Sequence, residues 1–579
     1  MLKCIKYFKY LKPYLKYEVL IFILISMSSV LALANPILLK VIIDRVLILR
    51  ELYLLKYVIV ALFIFYIINT LIMFCNGFFN TYVGQIISLK IRQDLLSHIQ
   101  KIKVSNFFDS ETGDFISKVI EDVSTITNFM SVTLISTLND TLNLLATAIF
   151  MLYFSPKLAC IAFILAIVQF LISLKFSIYI RTVQEKTREN SSIHFSFLKR
   201  IFTGIKSIKA FNSAKHNDIN YTAILRNILN LNFKYFYSYY GYSTCMSFAS
   251  FVGSVLIFSL GVFEIYKGNL SVGALFVFDM VSERFYQFTN NLVNLNINFQ
   301  NFTVAINRTE SIFSLEKETN AGTLKNTIDS SIEFQGVTFS YERDSNKPIV
   351  TNLSYKFETG KTYALVGASG CGKSSLLSLM LKFYNPSSGK ILIGGKDIDS
   401  LDLRYLRNKI SIVFQDSLLF DGTIWDNIRF GNKKVTDEQV RSAAKVCCID
   451  DFILSLPDGY DTRVGEDGVK ISGGQKQRIC LARALLRESD IYIFDEALSN
   501  LDKKLEYDIF QNLQRKLKNK TQIYVTHNIK LIRNLQNILV INRGNIELAG
   551  GHELLIQKSL IYRELFTKGE NDFNEEKYA

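Results

Sequence analysis

The sequence predicts two domains of different class: a bundle of six membrane-spanning α-helices, then a globular α/β domain built around a phosphate-binding loop. Three observations carry this. The first is the distribution of apolar residues: 49% of the 579 residues are hydrophobic, and up to about Phe299 they form long runs of Ile, Leu, Phe, Val and Tyr. After Ile332 the runs are short and broken by turns and mixed charge. The second is the basic residues beside the apolar runs, with Lys3, Lys6, Lys9, Lys12 and Lys16 preceding the first, as cytoplasmic flanks of membrane helices do. The third is "VGASGCGKSS", Val366–Ser375, which fits the phosphate-loop pattern G-x-x-x-x-G-K-[ST]. The composition shift places a membrane domain at 1–318, a polar linker at 319–331 and the α/β domain at 332–579.

A net charge of +14 raises nucleic-acid binding as a possibility, but the basic residues sit beside hydrophobic runs and no nucleic-acid motif accompanies them. No nucleic-acid partner is expected; the lipid bilayer is. The eight cysteines show no metal-ligand spacing, and Cys371 lies inside the phosphate loop, which suits a reduced cytosolic setting for the second domain. The first apolar run is long and lacks a cleavage site, so a signal peptide is not expected.

A helix needs about 20 apolar residues to cross the hydrocarbon core. Val19–Leu39, Tyr57–Leu89, Leu158–Leu174 and Tyr235–Phe263 carry no charge, and Phe129–Pro156 is broken only by Asp140. Five spans would leave the lysine-rich start and an ATP-using domain on opposite sides. A sixth is therefore expected at Leu270 to about Leu295, where Asp279, Glu283, Tyr286, Asn290 and Asn294 recur every three or four residues on one helical face. Polar groups in a span usually face a bundle interior or watery cavity, so the first four are candidate substrate-cavity residues. The bland alternative is a cytoplasmic helix continuing a shorter span. The connections after the second and fourth spans are long and basic; loops of that length are expected to fold as helices and touch the globular half.

In that half, "TYALV" is a strand candidate leading into the phosphate loop, and "SLLSLMLKF" a helix leading out of it. Gly367, Ser369, Gly370, Cys371 and Gly372 would wrap phosphates with backbone N–H groups. Lys373 would neutralise the outer ones, Ser374 would ligate magnesium, and Ser375 completes the loop. "DIYIFDEALSNLD", Asp490–Asp502, brings a buried strand to two carboxylates: Asp495 for Mg2+ and Glu496 to polarise the attacking water. In "QIYVTHN" His527 follows another apolar strand, where a γ-phosphate contact outweighs a purely structural role. "ISGGQ", Ile471–Gln475, opens a helix, a second place where free N–H groups converge on phosphate.

Together these residues, with Gln415 in "IVFQD" and Tyr341 in "VTFSY", resemble the ATPase domain of ATP-binding cassette (ABC) transporters over about Ile332–Leu565. "FFDSETGDFISKVIEDV", Phe107–Val123, and "GIKSIKAFNSAK", Gly204–Lys215, are similar to the intracellular loops of ABC exporters. The whole is similar to an exporter half-transporter, its second domain an α/β P-loop NTPase. The resemblance implies Tyr341 as adenine platform, Gln415 as a catalytic and magnesium residue that reports one site to the other from between the nucleotide and the coupling loops, and Asp502 in communication between sites. It implies that Ser472, Gly473, Gly474 and Gln475 close over ATP held by a second chain. ATP and Mg2+ would be bound twice across a dimer, homomeric or heteromeric. Glu466 in "VGEDG" fits the loop that senses the membrane half; Asn500, where Ala is common, has no role assigned. The expected activity is ATP-driven export of an amphipathic molecule, lipid or peptide across a bacterial inner membrane, with the ATPase domain cytoplasmic. The alternatives are an importer on the same fold, as in siderophore uptake, and a non-transporting ATPase. The transported substrate is not legible.

Overall fold

The computed structural model describes residues 2–108, 112–320, 322–326, 329–341, 348–432, 434–465, 468 and 471–575. The chain divides into two compact units, one of residues 1–101 and 110–315, the other of 102–109 and 316–579.

The first unit is helical. Among the described residues, five helical stretches are long and apolar enough to cross a membrane: Lys6–Ile48, Tyr53–Ile99, Gly113–Phe154, Pro156–Thr187 and Ala214–Tyr266. A sixth long helix, Val272–Phe313, carries the more polar segment expected as the last span and packs on the bundle core. Apolar side chains such as Phe63, Tyr66, Phe74 and Phe78 face outward, which only a hydrocarbon solvent tolerates in such number. The Tyr53–Ile99 helix has 47 residues. At 1.5 Å per residue it is roughly 70 Å long, about twice a hydrocarbon core of ~30 Å. The excess would extend beyond a bilayer, and residues 112–123 and 205–210 of the expected intracellular loops are helical. Arg308 anchors one of them, reaching Asp114 at 3.1 Å and Asp122 at 3.3 Å. Near its end the same helix receives Lys6 on Glu310 (3.0 Å) and shares a hydrogen bond between Thr309 and Tyr7 (2.8 Å).

The second unit contains a six-stranded sheet of order β10-β9-β3-β8-β7-β6, where β3 is Thr362–Val366, β6 Ile410–Val413, β7 Ile491–Asp495, β8 Thr521–Val525, β9 Asn537–Asn542 and β10 Asn545–Gly550. Strands β9, β3, β8, β7 and β6 are parallel. β7 and β8 are buried at every residue, because helices cover one face and a helix with the smaller sheet the other, so each side chain must enter one of two cores. Alternation assigns them: Tyr492, Phe494 and Tyr524 enter one core, Ile491, Ile493 and Ile523 the other. A smaller antiparallel sheet of order β2-β1-β4-β5 is built from β1 Ile332–Phe339, β2 Val350–Phe357, β4 Ser388–Ile393 and β5 Lys396–Asp397.

The polar linker and Glu318 just before it are strapped to the second unit. Arg407 forks onto Glu318 at 2.7 and 2.8 Å, Asn320 accepts from the Leu403 N–H, and Leu324 exchanges backbone bonds with Ser400 and Asp402. Composition signals polarity and turn content; it does not reveal such partners.

The ATPase site

Parallel pairing brings distant motifs to one edge. β3, β8, β7 and β6 are consecutive neighbours, so their carboxyl ends align, with Leu365 opposite Val525, Asp495 opposite Val525 and Val413 opposite Phe494. From these ends emerge the phosphate loop, His527, the Asp495–Glu496 pair and Gln415. In open α/β sheets, ligands bind outside the carboxyl ends of the strands.

The phosphate loop leaves β3 at Gly367. A Cβ there would lie 2.4 Å from the Ile541 carbonyl and 2.8 Å from Cys371 Sγ, so no larger residue fits. Gly370 and Gly372 have φ of +75° and +106°, conformations that turn successive N–H groups inward. Lys373 is buried, and its Nζ donates to the carbonyls of Gly367 and Ala368, each at 2.9 Å. Ser369 and Ser374 are exposed, and the Ser375 hydroxyl shares a 3.0 Å bond with Tyr341, itself half exposed between Phe339 and Tyr384.

Burial, and then the neighbouring Glu496, push Asp495 up to about 6, while Lys373 and a hydrogen bond with Ser374 pull the other way. Asp495, Ser374 and Gln415 offer the hard oxygen donors a magnesium ion takes. Glu496 has φ of +47°, a left-handed conformation that costs a non-glycine residue ~1–3 kcal/mol and persists only where surroundings impose it. Its carboxylate receives Gln415 Nε2 at 2.8 Å and meets His527 Nε2 at 3.1 Å. The three residues read separately from sequence thus form one cluster.

The helix start at Ser472–Gln475 is built otherwise. Ser472 caps the Gly473–Leu485 helix, with Gln475 Oε1 accepting from the Ser472 N–H at 2.9 Å and the Ser472 hydroxyl accepting from the Gln475 N–H at 3.4 Å. Among the described residues, nothing beyond its own helix turn lies within 4 Å of a Cβ built on Gly473. Among the described residues no hydrogen bond joins Ser472–Gln475 to the phosphate loop. Asp502 caps the Lys503–Lys516 helix through the Leu505 N–H at 2.9 Å.

Two side chains that the sequence reading passes over also touch the cluster. Ser499 donates to the Glu496 carbonyl at 2.8 Å, and Gln477 reaches the same oxygen at 3.5 Å. Gln477 gave one signal, a polar residue at an inward-facing helix position. Glu466 lies outside the described residues. In the membrane unit, Asp279 accepts from Ser254 at 2.8 Å, Glu283 is exposed, Tyr286 is buried against Gly253, and Asn290 is partly buried. The four do not share one environment.

A bundle of membrane helices joined to an α/β domain that gathers a phosphate loop, two carboxylates, a glutamine and a histidine defines a membrane protein powered by a phosphate-loop ATPase. Residues 19–288 match the ABC transporter transmembrane region and residues 350–499 the ABC transporter domain. An ATP-dependent lipid A-core flippase of Syntrophus aciditrophicus is 30% identical over 541 residues, 93% of this chain and 89% of that one. YgaD of Bacillus subtilis, named as a candidate multidrug export ATP-binding/permease protein, is 31% identical over 97% of this chain and 98% of its own. A solved structure of a bacterial Atm1-family ABC exporter with ATP bound superposes with a TM-score of 0.83 at 25% identity, covering 96% of this chain and 98% of that one. The chain belongs to the ABC transporter family, with the membrane and ATPase domains fused as in exporters.

Proposed function

We propose that this chain is one half of a dimeric ATP-driven exporter that moves an amphipathic small molecule, lipid or peptide out across the bacterial inner membrane, with its ATPase domain in the cytoplasm. The observation that carries the dimer is the Ser472–Gly474 helix start: among the described residues, nothing beyond its own turn lies within 4 Å of a Cβ on Gly473, and no hydrogen bond ties it to the chain's own phosphate loop. Each ATP would be cradled by Gly367–Ser375 and Tyr341 of one chain and closed by Ser472, Gly473, Gly474 and Gln475 of the other. Two identical chains are the simplest assembly.

Glu496 would act as the base that orients and deprotonates the attacking water, held in aim by Gln415 and His527. Lys373 would release its own loop carbonyls to meet the β- and γ-phosphate oxygens. Magnesium, where bound by Ser374, Asp495 and Gln415, supplies neutralisation of the charge that develops on the leaving phosphates. Asp502 would carry news of one site to the other. ATP binding favours the joined ATPase domains because each nucleotide bridges both chains, and hydrolysis removes the bridge. Asp279 and Glu283 would line the substrate path. Export is supported by relatives named for flipping lipid A-core and for export; import on this fold has no such support.

The test is reconstitution of the purified chain alone in liposomes, with ATP hydrolysis and accumulation of fluorescent lipid or drug probes followed on both sides. Coupled movement away from the ATPase side by two copies supports the proposal; ATP hydrolysis by a single copy overturns it.

A further inference from the structure

We infer that Gln477 is a positioning residue that ties the helix closing on one ATP to the carboxylate serving the other; this rests on the roles proposed above for Ser472–Gly474 and Glu496.

The geometry is local and specific. Gln477 lies one turn into the Gly473–Leu485 helix and is 1% exposed. A buried carboxamide must satisfy both its ends. Its Nε2 donates to the carbonyl of Glu496 at 3.5 Å, and its Oε1 accepts from the backbone N–H of Asn500 at 3.2 Å. It therefore spans the segment 496–500 from end to end. That segment is already constrained: the Glu496 carbonyl also accepts the N–H (3.2 Å) and the hydroxyl (2.8 Å) of Ser499, and the Glu496 N–H is held by the Val525 carbonyl at 3.0 Å. These bonds surround a residue whose backbone is left-handed at φ +47°.

An independent contact points the same way. A Cβ on Gly474 would lie 2.8 Å from the Asn500 carbonyl oxygen and 3.1 Å from Leu501 Cδ2, so the helix start and the 500–501 backbone are in direct contact. A movement of the helix start toward a partner's nucleotide must shift Asn500, strain Gln477 or carry Glu496 along. Backbone displacement at Glu496 re-aims its carboxylate relative to Gln415 and His527. Asn500, unassigned from the sequence, enters through its backbone N–H and carbonyl, which any residue supplies.

The test is a double-mutant cycle on the full chain in liposomes, read by single-turnover ATP hydrolysis and by KM for ATP. Gln477→Met keeps the side-chain length and removes both bonds. Coupling energies of this kind correspond to about a 10-fold effect. The expected result is a ~10-fold fall in the hydrolysis rate with KM within about twofold, and less than about a twofold further fall when the substitution is added to Glu496→Gln. An equal factor in both backgrounds, or a rise in KM matching the loss of rate, overturns the inference. Should Gln477→Met fail to fold, Gln477→Glu serves the same cycle: it keeps an acceptor for Asn500 and loses the donor to Glu496. A Glu496→Gln protein that turns over at the parental rate would instead sink the base assignment, a separate and recognisable failure.

Discussion

The loop Gly367–Ser375 and the helix start Ser472–Gln475 are both glycine-rich openings of a helix, yet they are finished differently. The first is closed on itself: Lys373 lies back on the Gly367 and Ala368 carbonyls, and Gly367 is packed against Ile541. The second is capped only by its own Ser472–Gln475 box and faces outward at Gly473. A phosphate cradle supplied within one chain can be preformed, whereas a surface that must close on a ligand held elsewhere has to remain open. On the proposed dimer, this contrast would account for one chain carrying two phosphate motifs.

The comparison can be broken at several points. The largest effect is expected from Glu496→Gln, which should lower steady-state hydrolysis about 10²–10⁴-fold, as loss of a general base does, while leaving ATP binding intact and the dimer closed. Hydrolysis and size-exclusion behaviour with ATP check both halves of that statement. Lys373→Ala removes a charge-assisted contact worth ~2–3 kcal/mol and should weaken ATP binding about 100-fold, measurable with a fluorescent ATP analogue. Gly474→Ala should leave that affinity within about twofold and lower hydrolysis about 10-fold, since its Cβ would press on Asn500 only 2.8 Å away. Equal losses of ATP affinity in these two variants would erase the distinction between the closed and open sites.

The smallest effect concerns stability. Burial would raise the Asp490 carboxyl, but hydrogen bonds from Lys409 and Lys520 outweigh it and hold the group below the usual carboxylate range. A depressed folded value gives stability that is present above the ordinary range and lost as pH falls through the folded value. Asp490→Asn should cost about 1 kcal/mol or less at pH 7, given solvent screening, and nothing once the parent carboxyl is protonated. Thermal melting at the two pH values checks it.

Legibility differed between the halves. Apolar runs exposed the five strongly apolar spans because hydrocarbon burial acts on each segment by itself. The sixth helix is harder to read, since Tyr286 is buried inside the bundle while Glu283 is exposed, a division set by neighbouring helices. The phosphate loop was legible because a short contiguous pattern carries its chemistry. The bonds of Gln477, the left-handed Glu496 and the strap on Asn320 were not, because each depends on residues brought together by packing.

Local pattern alone carries the order of the two domain classes, the strands β3, β7 and β8, and the phosphate-loop motif that follows β3. Packing alone brought Gln415 and His527 onto the Glu496 carboxylate and let Gln477 join Glu496 to Asn500. The physical reason is that parallel pairing of β3, β8, β7 and β6 sets distances between residues far apart in the chain, and no local propensity encodes which strands become neighbours.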